Sequence, residues 1–183
     1  IKREKVMKTS NKTKITSLVY AAVCLALCLV LPFLTGQIPQ IGNALCPMHI
    51  PVLLAGFLCG PWWALAVGLV SPLLRHTLFL MPPLMTAIAM SFELAAYGLI
   101  SGLMYRKLPK TTGNIYVSLL TAMAGGRVIW GIARLALTGV TGKPFTFAMF
   151  LAGAFTTAIP GIIVHILLIP VLVMALKKAN IIK

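Results

Sequence analysis

Of 183 residues, 60% are apolar and only 10% carry charge, with a mean hydropathy of +0.99. A soluble domain carries about 25% charged residues, so a water-soluble fold is excluded and lipid must solvate much of the surface. The net charge of +14, from 16 Lys and Arg against 2 acids, is clustered beside long apolar runs, which argues for a membrane and against nucleic acid as partner.

The chain opens with a basic segment, residues 1–14, carrying Lys2, Arg3, Lys5, Lys8, Lys12 and Lys14; it reads as a cytoplasmic tail, with Met7 a candidate natural start. A first helix is predicted over 15–34. Its apolar run of about 20 residues is long enough to span, whereas a cleaved signal core is about 7–15, so it reads as a retained helix. Cys24 and Cys28 are four apart on it and read as packing residues; with Cys46 and Cys59 they show no metal or disulfide spacing. An irregular polar connection follows at 35–47, containing Asn43. A short second helix is predicted over 48–59, ended by Gly60-Pro61, and Trp62 and Trp63 then read as interface anchors. The third helix, 61–79, stops at Met81-Pro82-Pro83. The fourth, 84–105, runs into the basic loop of Arg106, Lys107 and Lys110. The fifth is placed at 114–138. The sixth, 146–176, carries a kink expected at Pro160-Gly161 and ends at Lys177, Lys178 and Lys183.

Six crossings put all three basic clusters on one side, and omitting the second helix would split them. The expected fold is therefore an all-α membrane protein of one integral membrane domain, 1–183, with six transmembrane helices and both termini cytoplasmic. A span as short as the second lines a cavity more often than it faces lipid.

Four charges fall inside these spans: Arg75, Glu93, Arg127 and Arg134. Each costs about 2.5–3.5 kcal/mol at mid-bilayer on insertion scales, so such groups face a bundle interior or a wet cavity. At 1.5 Å per residue, Arg75 lies roughly 21 Å above the inner end of its helix, and Glu93 roughly 14 Å below the outer end of its own. The polar groups thus gather in the outer half. Arg127, Trp130 and Arg134 share a face, as do Glu93 and Tyr97, and Gly125-Gly126 permits close approach beside Arg127. Three buried arginines against one glutamate leave a surplus of positive charge. Spacing does not decide which arginine pairs with Glu93. A small anion would use the surplus, because guanidinium binds carboxylate bidentately; Arg134 has the alternative of snorkelling outward. His165 reads as a packed or hydrogen-bonded residue, and His49, ahead of Pro51, as a helix cap.

These features resemble the substrate-binding S components of the energy-coupling factor (ECF) vitamin transporters. The likeness rests on the six-helix layout, on Ala22-Val23-Cys24-Leu25-Ala26, and on the stretch from His49-Ile50-Pro51 through Gly60-Pro61 to Gly68-Leu69-Val70-Ser71-Pro72. Glu93-Leu94-Ala95-Ala96-Tyr97-Gly98 belongs to it as well. The resemblance implies a subunit of an ABC-type importer in the cytoplasmic membrane of a prokaryote. It would bind a vitamin from outside and join a membrane scaffold subunit and two ATPases, with ATP and magnesium on those partners and no cofactor in this chain. Ala22 and Ala26 would form the docking face. Arg75, Arg127, Glu93, Tyr97, Asn43, Trp130, Arg134 and His49 would line the substrate site, and the 35–47 connection would be part of its lid. Pantothenate, an anion with hydroxyl and amide groups for Asn43, Tyr97 and Thr157 to meet, is the first choice. Folate, a flavin, a queuosine precursor and a cobalamin precursor stay open. A membrane enzyme is disfavoured by the lack of HExxH or a multi-aspartate motif. A stand-alone proton-coupled carrier working through Glu93 is the remaining rival.

Overall fold

A computed structural model describes residues 2–35, 38–142 and 144–182; the side chains described begin at Lys14 and leave out 39, 43, 140, 141 and 155. The described residues are helical with no strand. Helix α1 is Lys2–Val30, followed by a 3-10 turn at Leu31–Thr35 where Pro32 withholds a donor. Then come α2, Pro39–Leu45, α3, His49–Leu58, and α4, Pro61–Phe79. After the Met81-Pro82-Pro83 break follow α5, Leu84–Lys107, and α6, Thr112–Thr141. A five-residue α7, Phe147–Leu151, leads through a π-helical turn at Ala152–Thr156 into α8, Ile159–Lys178.

Among the described residues, four stretches are long and apolar enough to cross a membrane: Lys14–Thr35, Leu84–Lys107, Thr112–Gly139 and Ile159–Lys178. The 19-residue α4 and the short apolar α3 pack between them. The outward faces are apolar: on α8, Ile163, Leu167 and Val171 follow one another at four-residue steps and are 52%, 64% and 56% exposed. A stripe of that kind needs lipid against it.

Apolar surfaces gain little by burial within lipid, so helices are held by close packing of small residues. Here α4 and α5 run antiparallel along such a seam. A Cβ at Gly68 would strike the backbone of Leu94 and Ala95, one at Gly98 the backbone of Ala64, and one at Gly102 would lie 2.6 Å from the Pro61 nitrogen. Gly56 of α3 meets Ser101 and Gly102 in the same seam. The contact fixes the rotation of α5 and turns Glu93, next to Leu94, inward. Cys24 and Cys28 are buried packing residues between α1 and its neighbours, and Trp62 and Trp63 are exposed, as expected for membrane-interface anchors.

Two departures from the sequence reading concern shape. The connection expected to be irregular over 35–47 holds the helical turns of α2. The last predicted helix is broken at 152–158, upstream of the expected Pro160 kink. Pro160 instead sits in the first turn of α8, where its missing N–H costs nothing, and Gly161 allows α8 to approach the carbonyls of Ala44 and Leu45.

Gly102→Leu forces bulk into the seam and should destabilise the fold by about 1–3 kcal/mol, the usual range for overpacking. Gly113→Leu, with nothing within 4 Å of a Cβ there, is the control. Thermal unfolding in detergent should show a lower midpoint for the first variant alone; equal losses would contradict the seam.

Candidate functional site

At the end of the bundle away from Arg106 and Lys177, a cavity of about 380 Å³ opens between the helices. Its wall includes Pro32 and Thr35 after α1, Cys46 and His49 around the start of α3, Arg75 of α4, and Thr86, Met90 and Glu93 of α5. Arg127, Trp130 and Arg134 of α6, with Gly153 and Thr157 of the broken segment, complete it. The volume lies within the range of small-molecule sites, roughly 300–1,000 Å³.

The floor is built around one carboxylate. Glu93 is 1% exposed, and Arg127 Nη1 lies 2.9 Å from its Oε1. His49 Nε2 approaches the same oxygen at 3.4 Å. Neither approach to Oε1 has hydrogen-bond alignment: that oxygen, both ring nitrogens of His49 and Arg127 Nε are buried with no hydrogen-bond partner among the described residues. Tyr97, one turn beyond Glu93 and 1% exposed, sits behind the cavity wall, with its ring edge-on to His49 at 5.1 Å and against Gly126. His165 stacks on His49 with centroids 5.9 Å apart, and its Nε2 is 3.3 Å from the Cys46 carbonyl. Cys46 also takes a contact from Arg127 Nη2 at 3.8 Å.

Arg75 stands apart from this group. It is 2% exposed, and its guanidinium donates to the Leu29 carbonyl in the last turn of α1. The guanidinium carbon lies 4.8 Å and 5.2 Å from the ring centres of Phe33 and Phe79. Arg134, half-buried at the rim, lies over Trp130 and Phe145 at 6.0 and 5.7 Å. The π-helical turn brings Gly153 against the Trp130 indole, where a Cβ would come within 2.6 Å.

Of the residues singled out in the sequence, Arg75, Arg127, Glu93, Trp130, Arg134 and His49 all border this cavity. Tyr97 supports it from behind, and the Asn43 side chain lies outside the described residues. The choice among the arginines is resolved: Arg127 holds Glu93. His49 is not a cap, because Met48 occupies that position and the imidazole turns inward onto His165 and Tyr97. Sequence reasoning missed Cys46, Phe33 and Phe79. Cys46 is brought in by a left-handed backbone at φ 47°, which no neighbouring residue type signals; an aromatic just past the helix-ending Pro32 was the available sign for Phe33.

Removing one member of a buried ion pair strands the other, at about 3–5 kcal/mol, whereas replacing both by apolar groups is often tolerated. Glu93→Leu should therefore lower the thermal midpoint strongly, and adding Arg127→Met should restore most of it. A double variant as unstable as the single one would contradict the pairing.

No curated protein and no solved structure gives a significant match. The family model for the substrate-specific component of ECF transporters matches residues 16–173, nearly the whole chain. On that match, with helices long and apolar enough to cross a membrane several times, the chain belongs to the ECF transporter substrate-specific components: it is a multi-pass membrane protein and the substrate-binding subunit of an importer rather than an enzyme.

Proposed function

We propose that this chain captures a small anionic vitamin, pantothenate before other candidates, and delivers it inward when docked to an ATP-driven ECF module. The observation that carries the substrate class is the cavity wall, which sets three guanidinium groups against one carboxylate. Pantothenate offers a carboxylate for the surplus charge, with hydroxyl and amide groups for the remaining polar lining. In this reading Arg75, Arg127, Glu93, Tyr97, Asn43, Trp130, Arg134 and His49 form the binding site.

The importer has a membrane scaffold subunit and two ATPases, which carry the ATP and magnesium. Ala22 and Ala26 are exposed one turn apart on α1, opposite the buried Cys24 and Cys28, and suit a flat helix-on-helix contact with the scaffold. Six crossings, with α7 and α8 counted as one and both termini cytoplasmic, make a single membrane domain over 1–183, with 1–14 as a basic tail, in a prokaryotic cell membrane. The ends of α5 and α8 support that orientation: Lys177 donates to the Lys110 carbonyl, so two basic clusters share one side. Burial, with Lys177 and Arg106 nearby, lowers the Lys110 ammonium from its usual value.

The rival is a carrier that works through Glu93 without partner subunits; here Glu93 lies in an ion pair with Arg127. Reconstitution into liposomes separates the two. Labelled pantothenate should enter only when the module and ATP are present. Ala26→Trp should abolish that uptake without changing ligand affinity. Uptake by the chain alone would favour the carrier, and normal uptake by the Trp variant would remove α1 as the docking face. Binding of folate, a flavin, or a queuosine or cobalamin precursor in place of pantothenate would reassign the cargo.

A further inference from the structure

The surplus positive charge is not spread evenly around the cavity. Arg127 is committed to Glu93, and Arg134 lies half-buried against aromatic rings at the rim. Arg75 alone combines near-complete burial with the lack of an acidic partner among the described residues. A guanidinium has five N–H donors, and one of them serves the Leu29 carbonyl. That contact places Arg75 at the negative end of α1, which offsets only part of a full charge. Phe33 and Phe79, themselves edge-to-face with centroids 5.0 Å apart, take up aromatic contact with the group. What suits the remaining N–H edge is a coplanar, two-oxygen acceptor, which is the geometry of a carboxylate.

The opposite requirement holds on the floor. There the formal charges cancel between Arg127 and Glu93, yet both His49 ring nitrogens, Arg127 Nε and the ion-paired Glu93 Oε1 are buried without a hydrogen-bond partner among the described residues. Buried groups in that state call for a ligand that both donates and accepts hydrogen bonds and brings no net charge. Among the described residues no ion pair joins Arg75 to this group, and the two line the same cavity.

We propose that the two walls read different parts of one substrate: Arg75 selects its carboxylate, and the His49–Glu93–Arg127 floor hydrogen-bonds its uncharged hydroxyl or amide end. This rests on the anion-binding reading given above and assigns its selectivity to one arginine. It excludes amines, and it excludes anions that lack a polar group away from the charge.

The test compares acids with their uncharged counterparts: pantothenate with panthenol, in which a hydroxymethyl replaces the carboxylate, and nicotinate with nicotinamide. Affinities are measured by calorimetry on the full-length protein in detergent, for the wild type, Arg75→Gln and His49→Phe. The wild type should prefer pantothenate over panthenol and bind nicotinate, which is short and aromatic, poorly. Arg75→Gln should weaken pantothenate binding by roughly 10- to 100-fold and abolish the preference for the acid, leaving panthenol little changed. His49→Phe, which keeps the ring contacts with His165 and Tyr97, should weaken acid and alcohol alike. Because the acid-to-alcohol ratio is taken within each variant, a partly misfolded sample does not alter it. A ratio preserved in Arg75→Gln would overturn the assignment while leaving the anion-binding reading intact. Preference for panthenol would overturn the carboxylate end. Failure of the wild type to bind any of the four would overturn the assignment together with the substrate reading beneath it.

Discussion

A carboxylate buried among transmembrane helices must be matched by a positive partner or surrendered as an ion, and the arrangement of this bundle follows from how Glu93 is matched. Arg127 reaches it from α6, His49 from the first turn of α3, and Tyr97 stands behind it on its own helix. Three helices are thereby tied to one point. The glycine seam between α4 and α5 makes this possible, since it holds the α5 backbone against α4 and turns the Glu93 face away from lipid. A bulkier residue at Gly68 or Gly98 would push the helices apart.

The same point divides the bundle into two ends. Towards the start of α5 lie the arginines, the broken segment after α7 and the cavity. From Glu93 to Arg106, 13 residues or about 20 Å along the helix, the buried residues between them are Leu94, Tyr97, Gly98, Ser101, Gly102 and Tyr105, with no charge among them. A charged ligand held beside Glu93 thus meets no charged side chain along the buried face of this stretch of α5. Trp130 on the cavity wall packs against the rings of Phe145 and Phe150, and the π-helical turn brings the Gly153 backbone against its indole.

Much of this was legible in the sequence because a membrane makes few patterns affordable. Apolar runs of spanning length, Pro-Gly punctuation and charges inside spans each carry a cost that only one arrangement removes, so the long helices and most of the cavity-lining charges could be named. The sharing of a face by Arg127, Trp130 and Arg134 followed from helical spacing alone. What could not be read depends on contacts between distant segments. The pairing of Glu93 with Arg127 rather than Arg75 is set by helix rotation in the glycine seam. The inward turn of His49 depends on stacking with His165, 116 positions away in the sequence. The break at 152–158 occurs in a stretch whose composition differs little from a regular helix, and Pro160, the obvious breaker, is placed where helices accept it.

Identification of a molecule that travels with the protein tests the account most directly. The chain would be purified in mild detergent from cells grown in rich medium, then denatured, and the released small molecules identified and quantified by mass spectrometry. The account predicts a near-stoichiometric carboxylate bearing hydroxyl or amide groups, pantothenate first among them. A cationic or wholly apolar molecule released at that stoichiometry would contradict the reading of the cavity.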